Sequence, residues 1–175
     1  MKNEKLKIRG FTLIELLVVI GILGILAVGL LAAIDPFEQL KKGRDTNLRN
    51  VTVEYVNAVT RYYATHGTMP WGDAALNTTT LADNTVKTYT QKLIDEGELK
   101  PEFQDALGDN AAKIYLTGKA APDPIQAIVC FDPDSRSLSA DATTLYDSSG
   151  VEKEGCEADA DIKTKVATVC YWCAR

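Results

Sequence analysis

Histidine is nearly absent from this 175-residue chain, where His66 stands alone. With no second imidazole there is no histidine pair for a metal centre. Nor does the chain contain a nucleophile motif or a phosphate-cradling glycine loop. The expectation is therefore a protein that is not an enzyme and needs no cofactor. Cysteine is missing from the first 129 residues, and all four copies, Cys130, Cys156, Cys170 and Cys173, fall in the C-terminal third. Charge is missing from Phe11 to Ile34, a run of 24 residues in which Glu15 is the one exception. That run exceeds the roughly 20 apolar residues a helix needs to cross a bilayer. No internal repeat or low-complexity tract is present.

What surrounds the apolar run gives it an orientation. In "MKNEKLKIRG" Lys2, Lys5, Lys7 and Arg9 oppose only Glu4, and a basic flank holds its end of a first span in the cytoplasm. The remainder is expected outside, as a single-pass protein of the cytoplasmic membrane with a C-terminal head. Taking four bases and one acid from totals of 19 and 24 leaves 15 against 23, a net charge of −8 beyond the leader. So acidic a body argues against a nucleic-acid surface. An ordinary signal peptide cut near Ala33 is a weaker reading, because the run is longer than a signal core and carries an ionisable residue near its start.

The residues "GFTLIELLVVIGILGILA" behind a basic leader resemble the N-terminus of type IV pilins and of the pseudopilins of type II secretion and competence systems. That resemblance implies cleavage by prepilin peptidase between Gly10 and Phe11, N-methylation of Phe11, and retention of the helix as an assembly element. It also implies a homo-oligomeric helical filament, built by pilus or secretion machinery in the membrane. Glu15 is the expected register residue. A carboxylate at the centre of a membrane helix costs about 2.5–3.5 kcal/mol, less near the interface. Pairing with the Phe11 amine of a neighbouring subunit would offset that cost and reward one axial stagger. Gly29 and Ala33, at small-xxx-small spacing, and Gly21 and Gly24 suit close helix packing.

After the span, Leu40, Leu48, Val51, Tyr55, Val59 and Tyr62 fall on one helical face, with Lys41, Lys42, Asp45, Arg49, Glu54 and Arg61 mostly elsewhere. Asp45 and Arg49 have the spacing of a favourable acid-first pair. A helix running unbroken to His66 would be about 84 Å long. Pro36 would instead kink or restart it, with Asp35 as cap and Pro36 at the first helical position. His66 and Gly67 read as the helix end.

The rest supplies a head. "TYTQKLIDEGELKPEF" predicts a short helix capped by Thr88 or Thr90. "PIQAIVCFDP" and "SRSLSADATT" predict a hairpin across "DPDS", and "KVATVCYWCA" a final strand. "WGDAALNTTTLADN" and "DSSGVEKEGCEADAD" predict loops. The expected fold class is α+β, a small antiparallel sheet of three or four strands against the outer half of a long N-terminal helix, which also resembles the pilin head. The organisation expected is a leader over 1–10, a transmembrane assembly helix over 11–34, an amphipathic stalk over 35–67 and a globular head over 68–175.

Four exported cysteines suggest two disulfides with three possible connectivities. Cys170 and Cys173, three apart on a predicted strand, point to opposite faces, so Cys130 would take one and Cys156 the other. A redox C-x-x-C or a four-cysteine zinc site fits the spacing less well. Asp132 and Asp134, with Asp141 and Asp147 nearby, are candidate calcium ligands, as some pseudopilins use such a loop. However, "DPDSRSLSADAT" lacks the D-x-D-x-D-G order, and a solvated acidic turn is the plainer reading. A pseudopilin and a monomeric membrane-anchored binding module are the alternatives to a pilus subunit.

Overall fold

The computed structural model describes residues 11–33, 35–120, 126–157 and 160–175. Its contacts divide the chain into two units, Met1–Gln39 and Leu40–Arg175. The first unit holds helix α1, Leu13–Ala33. From Leu13 to Leu31 all its side chains are exposed, and the helix is long and apolar enough to cross a membrane. An apolar helix exposed all round is stable in lipid or among other helices, not in water. Helix α2, Pro36–His66, starts afresh. The Asp35 carboxylate accepts from Phe37 N at 3.1 Å and Glu38 N at 3.2 Å, which satisfies two of the free amides at a helix start. The chain thus has two helices, α1 and α2, with Asp35 non-helical before α2 and Ile34, between them, outside the described residues.

In the second unit α2 buries Leu48, Thr52, Tyr55, Val59 and Tyr62, alternating three and four residues apart, with Val56 and Ala58 beside them. The strip shares its core with a five-stranded antiparallel sheet. The strands are β1 Leu76–Thr80, β2 Ile114–Lys119, β3 Gln126–Phe131, β4 Thr144–Tyr146 and β5 Tyr171–Ala174, in the order β1-β2-β3-β5-β4. The α+β class is as expected. Ile114 and Leu116 of β2, Val129 and Phe131 of β3, and Trp172 of β5 join that core. Strand β3 is buried on both faces: Val129 and Phe131 face that core, while on the other face Gly150 lies directly over Ile128 and Cys130 is disulfide-bonded. Helices α3, Asn84–Asp95, and α4, Phe103–Leu107, close the core with Val86, Leu93, Phe103 and Leu107.

Several local expectations are corrected. Helix α3 begins at Asn84, capped by Asp83, whose carboxylate accepts from Thr85 N at 2.8 Å. Thr88 and Thr90 lie inside it and return their hydroxyls to the carbonyls of Thr85 and Val86. The segments 124–133, whose first two residues lie outside the described ones, and 135–144 form no hairpin. Helix α5, Arg136–Ser139, follows β3, and β5 is inserted between β3 and β4. Ser135 accepts from Leu138 N, and that cap turns "SRSLS" into a helical turn where a strand was expected. The "KVATVCYWCA" segment is strand only from Tyr171, because Asp161 caps helix α6, Ile162–Thr168, ahead of it. The sheet has five strands, not three or four. The additional ones are β1, drawn from an expected loop, and β2, in a stretch to which the sequence assigned no element.

Candidate functional site

The N-terminal site is built by the first turn of α1. Thr12 precedes that helix and Glu15 is its third residue. Glu15 N donates to Thr12 Oγ1 at 3.4 Å, and the Glu15 carboxylate accepts from Thr12 N and Thr12 Oγ1, both at 2.9 Å. This is a reciprocal capping box, in which the side-chain oxygen of each residue accepts from the other's backbone amide at the open helix end. The acid also lies at the positive end of the helix dipole, where a carboxylate is favoured. Phe11, at 80% exposure, stays outside the helix. The helix therefore starts two residues after the Gly10–Phe11 junction, with Gly10 itself outside the described residues. Thr12 was not anticipated as a functional residue, although its signal, T-x-x-E ahead of an apolar run, is plain in the sequence.

Residues 5–31, which span this box, match the family model of the prokaryotic N-terminal methylation motif. The chain carries a type IV prepilin signal. This is the signal that type IV pilins and pseudopilins carry, and it covers the second half of the expected leader and most of α1. Neither a curated protein nor a solved structure matches the chain.

In the head of this prepilin-type chain the structure joins Cys130 to Cys173 and Cys156 to Cys170. Cys130 and Cys173 sit directly opposite each other on β3 and β5. The second bridge ties the turn around Gly155 to the residue before β5. Together they tie β5 to its neighbour β3 and, through the residue before it, to the turn around Gly155. No cysteine is left free.

The four aspartates have separate tasks. Asp141 accepts from Thr143 N at 2.8 Å and Thr143 Oγ1 at 2.6 Å. Asp147 accepts from Ser149 N at 2.8 Å, Ser149 Oγ at 2.6 Å and Val151 N at 3.1 Å. Asp134 pairs with Lys113 at 3.3 Å. Burial pushes the Asp132 carboxyl above the usual range, with the charges of Asp134 and Asp45 adding to the effect and Lys113 opposing it. Among the described residues no three His, Cys, Asp or Glu side chains are placed to hold a metal ion.

Asp45 is also corrected. It is buried, not on the solvent side of α2, and its carboxylate accepts from Asp134 N at 3.0 Å and Ser135 N at 2.8 Å. Arg49, its expected partner, lies over the Trp172 ring at 4.8 Å. Nothing in the periodicity of α2 distinguishes Asp45 from a surface acid, because its partners are backbone amides 89 and 90 residues away. At the far end of α2, Gly67 adopts φ +70 and His66 stacks on Tyr62 with ring centroids 4.0 Å apart. His66 is thus part of the helix terminus.

Proposed function

We propose that this chain is a structural subunit of a type IV pilus-like filament. In this reading prepilin peptidase cuts after Gly10, Phe11 is N-methylated, and subunits polymerise through the 11–34 helix. The amphipathic stalk over 35–67 and the head over 68–175 then stand outside the cytoplasmic membrane. The observation that carries the reading is the methylation motif, matched over residues 5–31, at the start of a helix whose apolar surface is exposed all round.

Glu15 is the register residue of the proposal. Among the described residues its carboxylate has two donors, both from Thr12, and neither carries a positive charge. The amine created at Phe11 supplies the missing positive charge, and a pair of this kind in low dielectric is sensitive to axial displacement. Pro36, just beyond the span and after the Asp35 cap, is the proposed bend between the lipid-embedded and water-exposed helices.

The test uses two substitutions. Gly10→Val should leave full-length precursor in the membrane, because the peptidase requires a small residue at the cut. Glu15→Ala should be cleaved normally yet fail to appear in fibres. A membrane-anchored binding module would tolerate Glu15→Ala, and normal-size mature chain from Gly10→Val would refute the cleavage site. A pseudopilin shares this N-terminal chemistry and separates from a pilus subunit by its absence from sheared surface fibres.

A further inference from the structure

Two Asn-x-Thr tripeptides occur in the chain, Asn50-Val51-Thr52 and Asn77-Thr78-Thr79. This is the acceptor pattern for N-linked glycans on exported proteins. As sequence the two are equivalent, but the structure separates them. Asn50 is exposed but lies in the middle of α2, and the Thr52 hydroxyl that completes its tripeptide is fully buried. An enzyme that must engage both the asparagine amide and the hydroxyl two residues on cannot do so without unwinding the helix that carries the core.

Asn77 has the opposite surroundings. It lies in β1, the edge strand of the sheet, beside a single partner, β2. Leu76 pairs with Gly118 and Thr79 with Leu116, so three steps along β1 face two along β2. Asn77 and Thr78 therefore occupy a bulge, where the ladder is locally interrupted. Both are exposed and Thr79 is partly so. The Thr78 and Thr117 hydroxyls bond across the two strands at 2.9 Å on the exposed side, and Leu76 anchors the strand beside Trp71 and Gly118. The tripeptide is thus extended, accessible, and held by few ladder bonds on one side only.

We propose that Asn77 is an acceptor for an N-linked oligosaccharide, with Asn50 unmodified. The inference rests on the reading that places the head outside the cytoplasm. In the transfer, Asn77 Nδ2 attacks the anomeric carbon of a polyprenyl-phosphate-linked oligosaccharide. The N–C bond forms, the anomeric C–O bond to phosphate breaks, the polyprenyl phosphate leaves as the anion, and one Nδ2 proton passes to a base on the transferase. A glycan at this position also shields an open sheet edge, which would otherwise be a template for pairing between heads.

The experiment is peptide mass spectrometry of the chain isolated from its native envelope, covering the N-terminus and both tripeptides. The expected result is an oligosaccharide mass on the Asn77 peptide and an unmodified Asn50 peptide. The added mass should vanish in Asn77→Gln and in Thr79→Ala, and persist in Thr79→Ser and Asn50→Gln. A mature chain starting at Phe11 with bare Asn77 overturns this inference and leaves the filament reading standing. A chain that retains the leader with bare Asn77 overturns both. A glycan on Asn50, or one that survives Thr79→Ala, overturns the site assignment.

Discussion

Asp45 and Glu15 are acids of similar chemistry with opposite surroundings. Asp45 is buried and holds two backbone amides of the β3–α5 connection, so its removal leaves Asp134 N and Ser135 N without their acceptor. The Ser135 amide is the buried one of the two, and a buried amide left unsatisfied costs about 1–3 kcal/mol. Asp45→Ala should lower the midpoint of thermal unfolding of the detergent-solubilised chain, followed by far-UV circular dichroism, whereas Glu54→Ala, on the exposed face, should change it little. The neighbouring Asp132 gives the head a pH signature. Its folded-state pKa is raised by burial and by the Asp134 and Asp45 charges, so the folded chain holds the proton more tightly than the unfolded one. Stability should therefore rise as pH falls from the raised value toward the ordinary carboxylate pKa. Asp147 has the other sign. Burial opposes its ionisation, but the Ser149 hydroxyl, the Val151 and Ser149 amides and Lys153 prevail and lower its pKa. Its contribution is present above the ordinary carboxylate pKa and is lost as pH falls through the folded value. Unfolding midpoints across the acidic range should show Asp132→Asn more stable than the parent at neutral pH and Asp147→Asn less stable.

At the scale of elements, stability beyond the helical core depends on two covalent ties. The Cys156–Cys170 bridge spans 14 positions and the Cys130–Cys173 bridge 43. In the chain-entropy model these correspond to about 3 and about 4 kcal/mol. Removing the larger tie by paired serine substitution should lower the unfolding midpoint more than removing the smaller. The reverse order, measured by thermal denaturation, would show that native-state packing outweighs loop entropy. Glycine at 118 is a second local requirement, because a Cβ there would meet Trp71 Cζ2 at 2.8 Å and Leu76 Cβ at 2.9 Å. The two long N-terminal helices were the legible part of this sequence, whereas α5 and α6 were expected as strand. The apolar run from Phe11, the strip through Leu48, Tyr55, Val59 and Tyr62, the Asp35 cap and the Gly67 stop all depend on residues a few positions apart. Sheet order was not legible, since β5 enters between β3 and β4 through contacts between segments tens of residues apart. Strand β1, with four polar residues in "LNTTT", lacks the apolar alternation that marks a strand, because it is an edge whose outer residues face water. At the N-terminal site the Thr12–Glu15 box was legible in the spacing. The task of Asp45 was not.

For the whole molecule, the two units suggest a division of labour: α1 carries the chemistry of membrane insertion and assembly, and the disulfide-fastened head carries the exposed surface. In the proposed filament, processing at Gly10–Phe11 would create the cation that Glu15 requires. Thr12→Ala removes the cap that starts α1 and, at about 1 kcal/mol for a lost helix cap, should reduce but not abolish fibre yield in a shear-and-sediment assay. Glu15→Ala should abolish it. Intact-mass and N-terminal peptide mass spectrometry on sheared surface fibres tests the central claim most directly. A chain beginning at N-methylated Phe11 is the predicted result. A chain beginning after Ala33 would contradict it, since the helix would then have been discarded as an ordinary signal sequence and Glu15 could have no part in any assembly.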